Sequence, residues 1–386
     1  MPVILERIPE KKVKPPRPVT RRWLIFGVVV LAVGMGLTFL FWQGERSGPG
    51  FWLFAVVLPV LLWGAMFSAR RAGYKYKSVG QDAANRTIKA RHDNDKGRGQ
   101  RFAWFVGEYL VNDLERQHVA TQSAALAKTP VLQPVMPRGA GKPVRHSRLA
   151  DEGNAPDVLG RYQYQVVEYI NVLLESLPES MTCYLALDLA EGLPDISLSW
   201  LSGITRPVIR IRDLSGLRII DYWLDYHYAK PSALLVLSAQ LNDAPADDSG
   251  EAISVVLMTN CRLNDTPTES ARIHRPQINH SGDMSHALRH AMLWAGLEKD
   301  ATLRGWITGG QLASSDTLSM ACGVYAPELT AQRCVNIDGV VGFAGVTAPW
   351  QALILATRQC ITDCEAQLVV TESSPDYRQL CAVTPE

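Results

Sequence analysis

Two long apolar segments dominate the start of this chain, and they predict two membrane-spanning helices. Residues Trp23 to Trp42 contain no charged side chain over twenty positions, the length a helix needs to cross a hydrocarbon core of about 30 Å. A second uncharged segment runs from Phe51 to Phe67 and includes Pro59, a residue type that membrane helices tolerate. Aromatic side chains that are typical of the membrane interface mark the ends of the segments: Trp23, Phe41, Trp42, Phe51 and Trp52.

A cleaved export signal is the alternative for the first apolar segment, because Arg21 and Arg22 before it resemble a twin-arginine motif. The segment is longer than the apolar core of about 7–15 residues in a signal peptide, and no small-residue cleavage site follows it. The second apolar segment begins after only eight intervening residues. A transmembrane helical hairpin over residues 23–67 is therefore the preferred interpretation.

Positive charges lie on both sides of the hairpin rather than in its loop. The tail of residues 1–22 and the segment after Phe67 are rich in Lys and Arg, whereas the loop carries only Arg46, beside Glu45. By the positive-inside rule we expect a multi-pass protein of the bacterial inner membrane, with its N-terminus and its C-terminal domain in the cytoplasm. The seven cysteines, an odd number, favour free thiols in that reducing compartment.

The net charge of +1 argues against nucleic acid as a partner, because proteins that bind it usually carry a strongly basic face. Residues 68–100 are polar and charged, and we expect a juxtamembrane tether or a short exposed helix there. A Pro- and Gly-rich loop is expected at 128–155. Its Gly-Ala-Gly-Lys stretch does not predict a phosphate-binding loop, since Met136 stands where the first glycine is needed and Pro143 follows the lysine.

From Phe102 onward, short apolar strands alternate with amphipathic helices, which is typical of an α/β domain with buried sheets. The predicted strands are 102–111, 184–189, 208–211, 233–238, 252–258, one near Trp306, one near Val335, 367–371 and 380–383. The predicted helices are 162–177, 215–228, 284–296 and 349–360.

Four segments of this domain occur in an informative order. Asp213 begins a stretch (DLSGLRII) that predicts an elbow before a helix, and Ser249 begins a turn (SGEA) before a buried strand. A helix follows Gly282, and Asp338 begins a glycine-rich stretch (DGVVGFAG) before another apolar helix. In this order the segments resemble the thiolase superfamily, particularly the β-ketoacyl synthases, whose fold has two βαβαβ halves in five layers.

The resemblance implies a thiolase-like soluble domain over residues 101–386, with a first half at about 101–270 and a second half at about 271–386. It also implies a homodimer. It further implies a cysteine nucleophile at the elbow and two histidines in later loops, but Asp213, Gly309 and Gly339 occupy these three positions. We therefore expect no catalytic residues, no cofactor and no enzymatic activity.

A non-catalytic adaptor or scaffold, which recruits a protein partner at the cytoplasmic face of the membrane, is the function that these observations favour. In outline, the chain resembles the adaptors that load lipase effectors onto bacterial type VI secretion machines, so the expected partner is a secreted effector or a secretion-apparatus subunit. One alternative is an enzyme, either an acyl-transferring or condensing enzyme with an atypical nucleophile or a hydrolase of lipid precursors, and its candidate thiols are Cys183, Cys322 and Cys334. Another is a structural subunit of a membrane complex.

A cluster of aromatic and acidic residues on the helix after the elbow is the candidate partner-binding face: Tyr222, Trp223, Asp225 and Tyr226. Aromatic residues are enriched in interfaces, although the same rings could be part of the core. Asp221 and Asp225, four residues apart, could instead form a carboxylate pair for acid–base chemistry.

Two pairs of potential metal ligands have helical spacing. His286 and His290, with His280 nearby, could place two imidazoles on one helix face, and Cys360 and Cys364 have the same spacing. No motif supplies a third ligand to either pair, and a buried cysteine is often a small core residue. We therefore expect no metal site.

Overall fold

The computed structural model describes residues 3, 5–114, 118–139, 141–193, 198–263, 270–279, 283–310, 312, 315–374 and 377–386. The chain divides into two compact units, one of residues 4–95 and one of residues 96–386 with residues 1–3.

The first unit contains two long apolar helices. Helix α1 spans Thr20–Phe41, and α2 spans Pro49–Trp52. A π-helical turn at Leu53–Val57 connects α2 to α3, which spans Leu58–Gly99. Pro59 lacks the N–H that would bond four residues back, and the π turn just before it accommodates this loss. The structure thus confirms two helices that are long and apolar enough to cross a membrane, by length and composition.

Contacts between α1 and the following helical stretch are those of an antiparallel hairpin. The indole N–H of Trp63 donates to the carbonyl of Trp23 at 2.8 Å, and at the other end the rings of Phe39 and Phe51 lie 5.2 Å apart. Between them, a Cβ on Gly34 would lie 2.3 Å from the ring of Pro59, so only glycine permits this close approach.

The tail before α1 lies along α3. The side chain of Asn85 accepts a hydrogen bond from the N–H of Lys12 at 2.8 Å and donates one to its carbonyl at 2.9 Å, and Lys14 pairs with Asp82 at 2.9 Å. Residues 68–99, which we predict to be a tether or a short exposed helix, are part of the continuous helix α3. Its Ala, Lys, Arg and Gln content and its lack of proline after Pro59 favour that continuity.

The first half of the second unit is built on five strands of one sheet. They are β1 (Phe102–Val111), β4 (Thr182–Leu189), β5 (Val208–Ile211), β6 (Ser232–Gln240) and β8 (Ala252–Thr259). They lie in the order β5-β4-β6-β8-β1, with β8 antiparallel to its neighbours. The helices of this half are α4 (His118–Ala127), α5 (Ala155–Glu175), α6 (Leu198–Ser202) and α7 (Arg218–Tyr226).

The second half repeats this topology. Its strands are β9 (Ala271–His274), β11 (Leu303–Thr308), β12 (Cys334–Asn336), β13 (Ala366–Ser374) and β14 (Tyr377–Pro385), in the order β12-β11-β13-β14-β9 with β14 antiparallel. A short strand β10 (Gln277–Asn279) also pairs with β14. The helices are α8 (Met284–Ala295), α9 (Asp316–Tyr325), α10 (Asp338–Val341) and α11 (Ala348–Asp363).

The two halves join where the first strand of one pairs with the first strand of the other. Ala103 of β1 lies opposite Ile273 of β9 in an antiparallel register. Each half thus has the strand order 3-2-4-5-1 with the fifth strand antiparallel, so the two halves form an internal structural repeat. The predicted α/β fold of two related halves is confirmed.

Three apolar clusters account for the layers of this unit. The central cluster contains Trp223 of α7 and Trp350 of α11 together with residues from both halves of the sheet. The second cluster packs α5 on the other face of the first half, and the third packs α8 and α9 on the second half. Helices therefore cover both faces of each half, and α7 and α11 share the middle layer.

The Pro- and Gly-rich region 128–155 is more ordered than the predicted loop. It contributes β2 (Gln133–Val135) and β3 (Val144–Ser147), which form a small sheet with β7 (Ser249–Gly250). The side chain of Arg138 in this region is fully buried, and its guanidinium pairs with Glu251 at 2.7 Å. A buried ion pair therefore attaches the region to the start of β8.

Candidate functional site

The elbow predicted after β5 is present as a strand–turn–helix. Asp213 follows the strand with φ of 61°, a left-handed conformation that Asp tolerates better than most residues, and its side chain is exposed. Gly216 also has a positive φ, of 57°, and α7 begins two residues later. The sequence therefore located the turn correctly, with Asp213 at its tip.

The backbone at the start of α7 is hydrogen-bonded to side chains from both halves of the domain. The N–H of Gly216 donates to Asp188 Oδ2 at 2.7 Å, and the N–H of Leu217 donates to Gln379 Oε1 at 2.7 Å. The indole N–H of Trp350 donates to the same oxygen of Asp188 at 2.8 Å. Burial raises the pKa of Asp188, and the hydrogen bonds from Trp350 and Gly216 oppose that rise.

The loop after β11 holds the first of the two positions assigned to a histidine by resemblance. Gly309 has φ of 108°, and a Cβ there would lie 2.0 Å from the carbonyl oxygen of Glu372, so no larger residue fits. Asp338 Oδ1 accepts from the Thr308 hydroxyl at 2.5 Å, and Oδ2 accepts from the Gly309 N–H at 2.6 Å. Asp338 directly precedes Gly339, so its carboxylate connects the loops that hold the two predicted positions, Gly309 and Gly339.

The carboxyl group of Asp338 has a pKa above the ordinary value for aspartate. Burial raises its pKa to about 6, although the bonds from Thr308 and Gly309 work in the opposite direction. An acid with such a pKa exchanges its proton near neutral pH, which is a property of general acids and bases.

A pocket of about 510 Å³ opens at the carboxyl ends of β11 and β12, beside these loops. Ligands of open α/β sheets commonly bind at the carboxyl ends of the strands. The lining residues come from the strands, α9, the turn before β12, α10 and the end of α4: Lys128, Ile307, Gly310, Ser315, Leu318, Ser319, Cys322, Leu329, Ala331, Cys334, Asn336, Gly339 and Val340.

Two of the three candidate thiols, Cys322 and Cys334, line this pocket. Burial, and to a smaller extent the neighbouring Cys334, raises the pKa of Cys322 to about 12. Burial also raises the pKa of Cys334, against the opposing charge of Lys128. Both thiols are therefore protonated at neutral pH, whereas nucleophilic attack requires the thiolate.

The third candidate thiol, Cys183, lies elsewhere. It lines a pocket of about 700 Å³ with Arg206 and residues at the amino ends of β4 and β5. Burial raises the pKa of Cys183 as well, and Arg206 opposes this rise. The structure therefore brings Cys322 and Cys334 together and separates Cys183 from them.

Two of the four residues of the predicted partner-binding face on α7 do not face a partner. Trp223 is 0% exposed in the central core, and Asp225 is bonded to Arg98 at 2.7 Å and to Arg275 at 3.2 Å. Burial would raise the pKa of Asp225, but these two guanidinium groups lower it to about 2. Tyr226 is exposed and Tyr222 is half-buried, so only these two could contact a partner.

Asp221, the other member of the proposed carboxylate pair, binds Arg275 at 2.6 Å and is buried. The two carboxylates are thus counter-ions of Arg275 rather than an acid–base pair. This arrangement holds β9 against α7.

The predicted metal-ligand pairs are placed differently by the fold. The rings of His286 and His290 lie 4.2 Å apart on α8, and His290 also packs against Trp294, while His280 lies outside the described residues. Cys360 is buried in the central core, whereas Cys364 is exposed at the end of α11. The cysteine pair is therefore divided between core and surface.

Three acidic residues were missed as site residues: Asp188 and Glu251, which are buried, and Asp338, which is half-buried. Asp188 stands alone in the apolar strand YLALDL, and a lone carboxylate in such a strand must find partners when buried. This lone aspartate was the signal in the sequence that could have identified Asp188 as a site residue. Nothing local distinguishes Asp338, because its partners are a hydroxyl and a backbone N–H.

Comparison with known proteins gives a result at the level of structure. No family model matches the chain, and no curated protein matches it. A keto synthase–chain length factor, PfaC, is similar over 74% of this chain and 43% of its own, with a TM-score of 0.52 and 8% identity. This chain therefore spans less than half the length of that protein.

Two bacterial ketosynthases match over most of their own length. The ketosynthase from module 1 of the bacillaene synthase of Bacillus amyloliquefaciens FZB42 covers 75% of this chain and 76% of its own, with a TM-score of 0.51 and 10% identity. The ketosynthase from module 6 of the bacillaene synthase of Bacillus subtilis 168 covers 74% and 70%, with a TM-score of 0.52 and 11% identity.

The prediction that this chain is not an enzyme is contradicted by these comparisons, because the solved structures that share its fold are ketosynthases, which are enzymes. That prediction depended on Asp213, Gly309 and Gly339 being the catalytic positions. Identities of 8–11% do not fix those positions, and one fold can carry its chemistry on different residues. The part of this chain that follows the apolar helices has a thiolase-like fold, which it shares with ketosynthases.

Proposed function

We propose that this chain is a membrane-anchored, thiolase-like domain that recruits a protein partner at the cytoplasmic face of the bacterial inner membrane. The observation that carries the proposal is the presence, on one chain, of this domain and two candidate membrane helices of hairpin geometry. A domain fixed at a membrane can raise the local concentration of its partner there. The proposed partner is a secreted effector or a secretion-apparatus subunit.

Membrane topology is tested with a thiol reagent that cannot cross membranes. Cys364 is exposed on the soluble domain, whereas the loop between the helices has no cysteine. Intact spheroplasts should leave Cys364 unlabelled until they are permeabilised. In a Cys364→Ser background, Ser47→Cys in the loop should be labelled from outside. Labelling of Cys364 in intact spheroplasts would contradict the cytoplasmic placement.

Recruitment is tested by purifying the tagged full-length chain from detergent-solubilised membranes of its native cells. We expect a second protein in stoichiometric amount, identified by mass spectrometry. Recovery of this chain alone, as a monomer or homodimer, would contradict recruitment. A variant in which residues 23–67 are replaced by an unrelated transmembrane hairpin is the matched control.

The hairpin replacement also separates recruitment from the alternative of a structural membrane subunit. A recruiting domain binds through residues 96–386, so the replaced hairpin should retain the partner. A structural subunit binds through its membrane helices, and the replacement should then lose the partner while the protein still inserts into the membrane.

A second candidate function is acyl transfer or condensation, and the pocket lined by Cys322 and Cys334 favours it. With both thiol pKa values raised, a neighbouring base would have to accept the proton before attack. Incubation with an acyl-thioester probe, followed by peptide mass spectrometry, tests this function. An adduct that is lost in Cys322→Ser or Cys334→Ser, but kept in Cys364→Ser, would support it, and no adduct would exclude these thiols as nucleophiles.

A further inference from the structure

The pocket at the ends of β11 and β12 is separate from the elbow. Its residues Leu318, Cys322 and Leu329 belong to the apolar cluster that covers the outer face of the second half. Leu217, at the elbow, belongs to the central cluster between the two halves. No residue of the elbow is among the described residues that line the pocket, and Val340 is the lining residue that belongs to the central cluster.

The floor of the pocket is apolar. Side chains of Ile307, Leu318, Leu329 and Val340 line it, together with the thiols of Cys322 and Cys334. A protonated thiol behaves as a small apolar group, so the two cysteines extend this surface. The volume of about 510 Å³ is within the range of about 300–1,000 Å³ that is typical of small-molecule sites.

The rim of the pocket is polar and carries one charge. Among the described residues that line it, Lys128 is the only charged one, and Ser315, Ser319 and Asn336 add neutral hydrogen-bonding groups. Lys128 Nζ lies 3.5 Å from the carbonyl oxygens of Ala331 and Gln332, which are weak partners. In the described part of the chain no carboxylate lies within ion-pair distance of this ammonium.

Lys128 is also held in a strained backbone conformation. Its φ is 53°, in the left-handed region that residues other than Gly, Asn and Asp rarely adopt. It occupies the position after α4 where a glycine commonly ends a helix. The chain therefore keeps a side chain here at a conformational cost that glycine would not carry.

We propose that this pocket binds a single-chain anionic amphiphile, with the carboxylate or phosphate on Lys128 and the alkyl chain between Leu318 and Leu329. A cation at the rim and an apolar floor match the two ends of such a molecule. Binding is reversible and non-covalent, and it does not depend on recruitment of a protein partner. A free fatty acid and a monoacyl phospholipid share this chemistry.

Protection of a pocket thiol is a site-specific test. The full-length protein, in detergent-free phosphatidylcholine nanodiscs, is treated with N-ethylmaleimide, and peptide mass spectrometry follows Cys334 in the pocket and exposed Cys364 as internal control. Dodecanoate at saturation should slow modification of Cys334 about tenfold and leave Cys364 unchanged. Equal rates at Cys334 with and without dodecanoate would overturn the proposal.

Anion recognition is tested with dodecanol, which has the same chain without the charge, and with Lys128→Asn. Asparagine tolerates the left-handed conformation, so this variant removes the charge at little backbone cost. We expect Lys128→Asn to weaken dodecanoate protection about tenfold, as loss of one charged hydrogen bond predicts, and to leave dodecanol protection unchanged. Lys299→Asn removes an exposed lysine that does not line the pocket and should behave as wild type.

Two further arms complete the test. Leu318→Trp fills the pocket and should abolish protection by either compound. An unchanged melting temperature of this variant shows that the fold is intact. Equal protection by dodecanoate and dodecanol in both wild type and Lys128→Asn would overturn the role of Lys128. Dodecanoate represents a free fatty acid and lauroyl lysophosphatidylglycerol represents a monoacyl phospholipid. The compound that protects Cys334 at the lower concentration identifies the source of the ligand.

Discussion

Replacing Glu251 with alanine removes the charge partner of a guanidinium that has no access to water. The side chains of Arg138 and Glu251 are 0% and 1% exposed, and Arg138 Nη2 and Nε donate to the carboxylate at 2.7 and 2.9 Å. The same carboxylate accepts from the N–H groups of Leu149 at 3.0 Å and Asn242 at 3.2 Å. The substitution thus leaves one buried charge and two backbone donors without this acceptor.

The expected loss of stability is about 3–5 kcal/mol, the usual cost of breaking a buried ion pair by removing one partner. For a domain of this size, each kcal/mol lowers the melting temperature by about 2–4 °C, so we expect a decrease of about 10 °C. Thermal unfolding of the full-length protein in detergent micelles, followed by tryptophan fluorescence, measures it.

Arg145→Ala is the matched control. Arg145 lies in the same region and pairs with Asp248 at 3.2 Å, but their side chains are 47% and 58% exposed. An exposed pair contributes about 0–1 kcal/mol, so the melting temperature should change by about 3 °C or less. The double variant Arg138→Met/Glu251→Leu leaves no buried charge and should recover part of the loss. Equal decreases for Glu251→Ala and Arg145→Ala would refute this reasoning.

Three further predictions concern the loops and the elbow. Burial raises the pKa of Asp338 to about 6, so the folded state favours the protonated carboxyl group. The free energy of unfolding of the wild type should therefore fall by up to about 3 kcal/mol, relative to that of Asp338→Asn, as the pH rises from about 4 to about 7. Parallel pH profiles of unfolding would contradict this. Gly309→Ala should cost more than about 2 kcal/mol because of its contact with a carbonyl, whereas Gly323→Ala, which meets no atom, should be neutral or stabilising. Trp350→Phe removes a donor from buried Asp188 and should cost about 1–3 kcal/mol in denaturant unfolding, while an unchanged midpoint would show that this bond contributes nothing.

Sequence patterns were sufficient to locate most of the sheet. Strand β5 begins and ends where its apolar run does, and β8 extends the predicted strand by only one residue. Buried strands are readable because a short apolar run between turn residues has few other uses. The resemblance to thiolases then supplied the topology, which local patterns do not contain.

Short elements and long-range contacts were not predictable in this way. Helix α9 has Ser, Cys and Gly among its ten residues, so its helical propensity is low and packing against the second half stabilises it. Strands β2 and β3 have three and four residues and depend on each other and on β7. Such elements form because tertiary contacts outweigh local preference.

The candidate site was predictable only in part. Resemblance located the elbow at Asp213 and the loops at Gly309 and Gly339, and each is a turn with special geometry or a close neighbour of one. The burial of Trp223 was not readable, because an aromatic residue on a helix can face either the core or a partner. Neither was the pocket around Cys322 and Cys334, whose wall is assembled from separate parts of the sequence.

The seam between the two halves determines the order in which this domain can assemble on the ribosome. Strand β1 is synthesised first, yet its two neighbours, β8 and β9, follow roughly 150 residues later. At about 5–20 residues per second, β1 waits roughly 10–30 s with both edges unpaired. An unpaired apolar strand is a site of aggregation, so the nascent chain carries this hazard until β8 and β9 have been made.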